Sequence, residues 1–110
     1  SRKIAAYDIK ADDTVDNGRV FIDFSAETAP GGPDGMRVDE KGNVWVTGPG
    51  GIWIISPQGK HLGTIVSPTG NGVRMANFAF GDPDRKTLYV VGNKNLWRMR
   101  LKVAGVRFKK

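Results

Sequence analysis

Cysteine is absent from the 110-residue sequence, which excludes a disulfide framework, a thiolate metal site and a cysteine nucleophile. Histidine occurs once, at His61, and no serine or cysteine elbow stands near it, so a nucleophilic triad is not expected. Apolar runs as long as the ~18 residues of a membrane span are missing, and we expect no membrane partner. The first residues also lack the apolar region of a signal peptide. We therefore expect a soluble chain, and the sequence leaves the bacterial periplasm and the cytoplasm both open.

Positive charge dominates the sequence, with a formal net charge of +6, but it is distributed unevenly. Residues 1–40 hold five Lys and Arg against nine Asp and Glu, whereas residues 41–110 hold twelve against two. A basic half can indicate nucleic-acid binding. The cations follow no helix face and accompany no known nucleic-acid motif, so we expect no nucleic-acid partner. A basic surface that faces an acidic one is the simpler interpretation.

Helical periodicity is missing as well, because every apolar run is short and is broken by Gly, Pro, Asn or Asp. Segments rich in β-branched and aromatic residues indicate strands instead. The predicted strands are 4–9, 19–24, 36–38, 44–47, 52–56, 62–66, 76–80, 88–91, 96–99 and, with a weaker pattern, 103–108. Residues 10–18 are predicted to form a polar loop that ends in an Asn17-Gly18 turn.

The later strands repeat the earlier ones at a nearly constant spacing. Val44-Trp45-Val46 aligns with Leu88-Tyr89-Val90, and Ile52-Trp53-Ile54 aligns with Leu96-Trp97-Arg98, both at a spacing of 44 residues. Units of about 40–45 residues with four strands each are typical of β-propeller blades. The sequence therefore predicts an all-β fold with about two and a half four-stranded antiparallel blades.

The 1–110 chain would form one portion of a single propeller domain. Residues 1–30 would supply the outer strands of one blade, residues 31–68 one full blade, and residues 69–110 the next blade. Propellers usually close with about four to eight blades, and an open arc would leave sheet faces and edges uncovered. We therefore expect the N-terminal half of the propeller, or other copies of the chain, as the partner that closes the ring.

The most informative stretch is 32–47, where Pro33-Asp34-Gly35 forms a turn before a short strand, a second turn and the strand 44–47. Pro33 fixes its own φ, Asp34 can bond the local backbone, and Gly35 tolerates positive φ. With Asn77-Phe78-Ala79-Phe80-Gly81 in the next blade, this stretch resembles the SMP-30/gluconolactonase/LRE family, the lactonases related to senescence marker protein. The similarity runs from about residue 7 to residue 105 and corresponds to the C-terminal part of that family.

The resemblance implies a partial six-bladed β-propeller with one divalent metal cation at the top of its channel. Calcium is the first expectation, and zinc, magnesium or manganese are alternatives. It also implies a metal-dependent hydrolase that opens a small-molecule sugar lactone, such as gluconolactone, with metal-activated water. Only one of the family's metal ligands has a counterpart here, Asp34, because the Glu and the Asn that complete the set belong to the N-terminal half.

Asp34 is therefore the predicted metal ligand and the predicted catalytic residue. A carboxylate oxygen suits hard divalent cations, and a carboxylate can also accept a proton from an attacking water. The alternative, from the residues alone, is that Asp34 only forms a turn. For the whole chain, the alternative is a non-catalytic propeller fragment or a self-assembling binding module.

The remaining polar candidates receive structural interpretations. Asn77 could reach the channel from the next inner strand, although a turn or ladder role is the first expectation. The other carboxylates are predicted to lie in solvated turns or in a loop without the spacing of a calcium loop, and they are Asp39, Glu40, Asp82, Asp84, Asp12, Asp13 and Asp16. The aromatic residues that recur at the blade spacing are expected in the core between blades, and they are Trp45, Trp53, Tyr89 and Trp97.

Overall fold

The computed structural model of the chain describes residues 2–67, 75–92 and 94–107, and these residues contain nine β-strands and no helix. The strands are β1 (Lys3–Ile9), β2 (Val15–Asp23), β3 (Met36–Val38), β4 (Val44–Gly48), β5 (Gly51–Ile55), β6 (His61–Ile65), β7 (Met75–Gly81), β8 (Thr87–Gly92) and β9 (Asn95–Arg100). The described residues accordingly include no helix long and apolar enough to cross a membrane. The all-β prediction is confirmed.

Three antiparallel sheets follow one another in chain order. β1 and β2 form a hairpin, β3 to β6 form a four-stranded sheet, and β7 to β9 form a three-stranded sheet. Each strand pairs with its neighbour in sequence, so short turns are enough to connect them. Nearest-neighbour pairing in consecutive sheets is the arrangement that propeller blades have.

Two apolar clusters join the sheets. The first lies between the β1–β2 hairpin and the middle sheet and is built on Phe24, Val46, Trp53 and Ile55. The second lies between the middle and the third sheet and contains Trp45, Ile52, Met75, Phe78, Leu88 and Val90. Because side chains alternate along a strand, Trp45 and Val46 face opposite sides of β4, and the middle sheet is buried on both faces. Of the four aromatic residues predicted to lie in the core, Trp45 and Trp53 are buried at 3% and 7% exposure, whereas Tyr89 and Trp97 are only partly buried.

The first hairpin differs from its predicted form. β2 begins at Val15, so the connection is only residues 10–14, and the predicted loop over residues 10–18 is wrong. Asn17 and Gly18 lie within β2, and Asn17 has a φ of 55° beside a shift in the strand register. An Asn-Gly pair can thus make a bulge in a strand as well as a hairpin turn, since Asn tolerates positive φ in either setting.

The end of the chain also differs from its prediction. Residues 103–107 form no strand, and Phe108 lies outside the described residues. Instead, Gly105 makes an isolated bridge to Asp39, and the Val106 N–H donates to the Val38 carbonyl at 3.0 Å. This segment therefore runs beside the end of β3 and ties the third sheet to the middle one. The segment 67–74 contains Gly and Pro and is predicted to form a loop, but it lies outside the described residues apart from Ser67.

Candidate functional site

Asp34 lies in the segment immediately before β3, and the residue is exposed. The neighbouring Gly35 is buried, and its N–H donates to the carbonyl of Ala76 in β7 at 3.2 Å. The first strands of the middle and third sheets, β3 and β7, therefore meet beside Asp34. Because the inner strands of a propeller line its channel, a carboxylate at this junction lies where propeller sites are built.

Thr47 fixes the backbone of the Asp34 turn. Its Oγ1 accepts hydrogen bonds from the N–H groups of both Asp34 and Gly35, each at 3.0 Å. Its own N–H donates to the Gly35 carbonyl at 3.0 Å, and the residue is 1% exposed. The register explains this contact, since Met36 pairs with Val46, which puts Thr47 opposite Gly35. The sequence interpretation treated Thr47 only as a strand residue and missed this role.

Gly35 is required for space rather than for its φ. Its φ is not among the positive values, which occur at Gly31, Gly42, Gly50, Gly51 and Gly59. A Cβ on Gly35 would instead overlap the side chain of Asn77 and come within 2.9 Å of the Asn77 Cα. The expectation that Gly35 serves a positive-φ turn is therefore wrong. A glycine is needed because the segment before β3 packs closely against Asn77 in β7.

Asn77 is brought to the site by the same packing. Its side chain lies against Gly35, one residue from Asp34, and its Oδ1 accepts the N–H of Phe78 at 2.9 Å. The acceptor is thus engaged by the backbone, and the Nδ2 group is the remaining donor of the amide. Met36-Arg37-Val38 aligns with Phe78-Ala79-Phe80 at a spacing of 42 residues, so Asp34 corresponds to Ala76. The third sheet therefore brings the Asn77 amide and no second carboxylate to this junction.

The described residues contain no group of three or more His, Cys, Asp or Glu that could hold a metal ion. The chemistry of the local donors is compatible with a hard cation, because a carboxylate oxygen is a preferred ligand of Ca²⁺ and Mg²⁺. Such ions take about six to eight oxygen ligands, however, and Asp34 supplies at most two. The residues therefore fit one part of a cation site and leave the rest of the coordination to other groups.

Asp39 is a buried structural carboxylate, and the expectation of a solvated turn is wrong for it. It is 1% exposed and accepts hydrogen bonds from the Trp45 Nε1 at 2.8 Å, the Asn43 Nδ2 at 3.0 Å and the N–H groups of Lys41 and Asn43. Four donors satisfy both oxygens, so the carboxylate closes the β3–β4 turn and holds Trp45 in the core.

The β7–β8 turn repeats this arrangement at the surface. The Tyr89 hydroxyl donates to Asp82 at 2.8 Å, and Arg100 donates to Asp84 at 2.7 Å. The bond from Arg100 lowers the pKa of Asp84 from 3.8 to about 2. Hydrogen bonds from Thr87 and Tyr89 lower the pKa of Asp82, and the bond to Asp82 raises that of Tyr89. These groups brace the turn against β9.

The other candidates lie away from Asp34. His61 begins β6 and stacks on Trp53 with ring centroids 3.9 Å apart, and its Nε2 lies 2.8 Å from the Thr64 Oγ1. Asp12 accepts the Thr14 N–H at 3.0 Å in the first hairpin loop. Among the described residues, neither His61 nor Asp12 belongs to a group of three or more side chains that could hold a metal ion.

The sheets and their junction define a class of protein, a β-propeller whose candidate site lies where inner strands meet. Comparison with solved structures agrees with this class. A structure assigned as a gluconolactonase superposes with a TM-score of 0.81 and 26% identity, over 97% of this chain and 34% of the other. A luciferin-regenerating enzyme gives a TM-score of 0.76 and 28% identity, over 99% and 42%. A gluconolactonase from Xanthomonas campestris gives a TM-score of 0.69 and 29% identity, over 88% of this chain and 29% of the other.

The chain belongs to the SMP-30/gluconolactonase/LRE-like family, whose profile matches residues 1–93. Among characterised relatives, it is similar to the gluconolactonase of Zymomonas mobilis, with 41% identity over 74 residues. That match covers 66% of this chain and 20% of the relative. The chain therefore spans about a fifth of this relative and 34%, 42% and 29% of the three solved structures.

Proposed function

We propose that this chain supplies Asp34 to a divalent-cation site in a hydrolase that opens sugar lactones. The observation that carries the proposal is the junction of β3 and β7, where Thr47 and Gly35 hold the Asp34 backbone in a defined position. Membership of a family with gluconolactonase relatives supports the lactone as substrate. The single carboxylate at the junction implies that the other ligands come from the remainder of the ring.

The roles of the residues follow from their chemistry. A divalent cation held there would polarise the lactone carbonyl and acidify an attacking water. Asp34 would bind the cation and accept a proton from that water. The water oxygen would bond to the carbonyl carbon, and the ring ester bond would break. The proton then passes to the alkoxide oxygen released from the ring. Asn77 would use its Nδ2 group to orient a hydroxyl of the sugar, since its Oδ1 already accepts from Phe78.

The test is reconstitution of the ring. We would measure hydrolysis of gluconolactone with Ca²⁺, Zn²⁺, Mg²⁺ or Mn²⁺, by this chain alone and after mixing with the N-terminal half of a related gluconolactonase. We expect activity in the mixture, and we expect Asp34→Asn to lower it by at least about 10²-fold, the scale of losing a general base. Calorimetric titration of the mixture with the cation gives a second readout, in which Asp34→Asn should weaken binding.

Asp12→Asn is the matched control, because Asp12 is an exposed carboxylate in the first hairpin loop, away from the β3–β7 junction. It should leave both the rate and the cation affinity unchanged. If a folded mixture hydrolyses no lactone, or if Asp34→Asn behaves like Asp12→Asn, the proposed function is wrong. The second candidate function, a non-catalytic binding module, would then be favoured, since the described residues alone hold no complete metal cluster.

A further inference from the structure

The Asn17-Gly18 pair takes no part in the proposed cation site, yet its chemistry is distinctive. The sequence contains such a pair twice, at Asn17-Gly18 and at Asn71-Gly72, and the structure describes the first. When glycine follows asparagine, the backbone nitrogen of the glycine can attack the side-chain amide carbon, because glycine has no Cβ to hinder the approach. The surroundings of Asn17 decide how readily this reaction occurs in the folded chain.

The bulge in β2 favours both residues of the pair. The strand register shifts between Ala6 and Asp8, so that Tyr7 faces two residues of β2, Asn17 and Gly18. Asn17 has a φ of 55°, which asparagine tolerates better than most residues. A Cβ on Gly18 would come within 2.6 Å of the Tyr7 ring. Less reactive residues would therefore strain this bulge or displace the ring.

Arg19 contacts the peptide group that joins the pair. Its Nη1 donates to the backbone carbonyl of Asn17 at 3.0 Å. That carbonyl belongs to the peptide bond between Asn17 and Gly18, and the peptide group becomes negative when the Gly18 nitrogen loses its proton. A cationic donor on the carbonyl oxygen stabilises this charge. Because the deprotonated nitrogen is the nucleophile, the contact lowers the cost of forming it.

The side-chain amide of Asn17 belongs to the same exposed cluster. Its Nδ2 donates to the Asp8 Oδ2 at 2.9 Å, and the Asp8 Oδ1 lies 3.1 Å from the Arg19 Nη1. The side chains of Asp8 and Arg19 are 55% and 51% exposed, so water reaches the reacting atoms.

This exposure does not come from the uncovered face of the hairpin. Asp8 lies on the same face of β1 as Ile4, because side chains alternate along a strand. Ile4 packs on the cluster that joins the hairpin to the middle sheet. Asp8, Asn17 and Arg19 therefore lie on the side of the hairpin that faces the middle sheet, beyond the residues that pack there.

We propose that Asn17 deamidates spontaneously in the folded chain and that Arg19 accelerates the reaction. The Gly18 nitrogen gives its proton to water or hydroxide and bonds to the Asn17 Cγ, and the bond from Cγ to the side-chain nitrogen breaks. That nitrogen takes up a proton and leaves as ammonia, so a cyclic succinimide remains. Water then opens either carbonyl of the succinimide, which gives an aspartate or an isoaspartate. The proposal depends neither on the cation site at Asp34 nor on what completes the ring.

The products change the charge and the bonding of the hairpin. A carboxylate at position 17 no longer donates to Asp8 and places two like charges beside each other, with Asp16 adjacent in sequence. An isoaspartate also adds a methylene to the main chain within a strand. Both products carry one more negative charge than the parent chain, so ion-exchange chromatography separates them from it.

The test is incubation of the full chain at mildly alkaline pH, followed by tryptic digestion and mass spectrometry. Trypsin places the two Asn-Gly pairs in separate peptides, 11–19 and 61–74. Peptide 11–19 should gain the mass of an amide-to-acid conversion with time, in both aspartate and isoaspartate forms. Arg19→Met removes the donor to the Asn17 carbonyl and should slow the conversion by about threefold or more, the scale of one charge-assisted hydrogen bond at an exposed position. In that variant the peptide to follow is 11–37.

Lys3→Met is the matched control, because Lys3 is a cation of the same hairpin that lies 4.0 Å from Asp23 and does not contact the pair. It should leave the rate at Asn17 unchanged. Arg19→Lys keeps a cationic donor and should recover most of the wild-type rate.

Peptide 61–74 gives an internal reference, because none of these substitutions lies within it, and circular dichroism checks that the sheets remain in each variant. The proposal is overturned if peptide 11–19 remains an amide in the wild-type chain. It is also overturned if Arg19→Met converts as fast as Lys3→Met, or if Arg19→Lys is as slow as Arg19→Met.

Discussion

At the scale of single residues, the candidate site depends on one hydroxyl. Thr47 accepts from the two N–H groups of Asp34 and Gly35 in a buried position, and the Gly35 N–H also donates to the Ala76 carbonyl. Asp34 was predicted from its motif, because Pro-Asp-Gly is a local signal. Thr47 was not assigned to the site, and for Asn77 a turn or ladder role was the first expectation, because the contacts of both residues with Gly35 depend on strand register and on the packing of two sheets.

Removing the Thr47 hydroxyl should therefore destabilise the chain. Thr47→Val preserves the shape of the side chain but removes the two hydrogen bonds to Oγ1, and Gly35 then keeps only the Ala76 carbonyl as acceptor. The expected cost is about 1–3 kcal/mol in the free energy of unfolding. Thr47→Ser keeps the hydroxyl and loses one methyl group, for about 1 kcal/mol. Urea unfolding followed by tryptophan fluorescence measures both. If Thr47→Ser costs as much as Thr47→Val, packing rather than the hydrogen bonds holds the turn.

Asp84 offers a second prediction at the residue scale, on pH. Its carboxyl is exposed, and the bond from Arg100 depresses its pKa to about 2 in the folded chain. A depressed folded pKa means that the pair stabilises the fold above the ordinary value of 3.8 and that this contribution is lost as the pH falls toward about 2. Because the pair is exposed, the effect on stability should be small.

A carboxyl titration by NMR tests that pKa directly. In Arg100→Gln the Asp84 midpoint should rise toward 3.8, whereas Arg98→Gln should leave it in place, since Arg98 is not among the groups that shift it. The opposite pattern, with a midpoint unchanged in Arg100→Gln, would show that the Lys86 backbone bond is the dominant cause.

At the scale of elements, the same turn is built twice with different burial. Asp39 accepts a hydrogen bond from the Trp45 indole inside the molecule, and Asp82 accepts one from the Tyr89 hydroxyl at the surface. The repeat predicted that these turns correspond, but it assigned both to solvent. The difference comes from packing, because the 104–106 segment lies on the Asp39 turn through the bond from the Glu40 N–H to the Ala104 carbonyl at 2.9 Å.

Isosteric substitutions should separate the two turns. In Asp39→Asn an amide NH₂ group replaces one carboxylate oxygen and faces an N–H donor from Trp45 or the backbone, so a buried hydrogen bond is lost. The free energy of unfolding should fall by about 1–3 kcal/mol. Asp82→Asn makes the same change at an exposed carboxylate and should have a clearly smaller effect. Both are measured by urea unfolding, with the indole Nε1–H resonance of Trp45 as a local probe. Equal effects in the two variants would contradict the distinction drawn from burial.

At the scale of the whole molecule, the sequence predicted the architecture better than the interactions between sheets. The 44-residue repeat was sufficient to predict consecutive antiparallel sheets of the propeller type, because turn residues and alternating strands recur with it, although the third sheet has three strands instead of four. It could not predict that Asn17 bulges β2 or that residues 103–107 form a bridge to Asp39 instead of a strand. Both features depend on contacts that are distant in sequence, and no local pattern encodes them.

The arrangement of the sheets also predicts a gradient of local stability. The middle sheet is covered on both faces, and Val46, Ile52 and Ile55 are at most 1% exposed, whereas residues 10–20 of the first hairpin are all exposed. Amide hydrogens exchange through local openings whose cost follows the apolar contacts that are broken. In dilute solution, the amides of β4 and β5 should therefore exchange slowest and those of the β1–β2 hairpin beyond Ile9 fastest.

Hydrogen exchange followed by mass spectrometry measures this gradient. The peptides that cover β4 and β5 should retain their protons longest, because the apolar contacts on both faces of the middle sheet must break before these amides open. If the hairpin beyond Ile9 exchanges as slowly as β4, burial among the described residues does not determine the local stability of this chain.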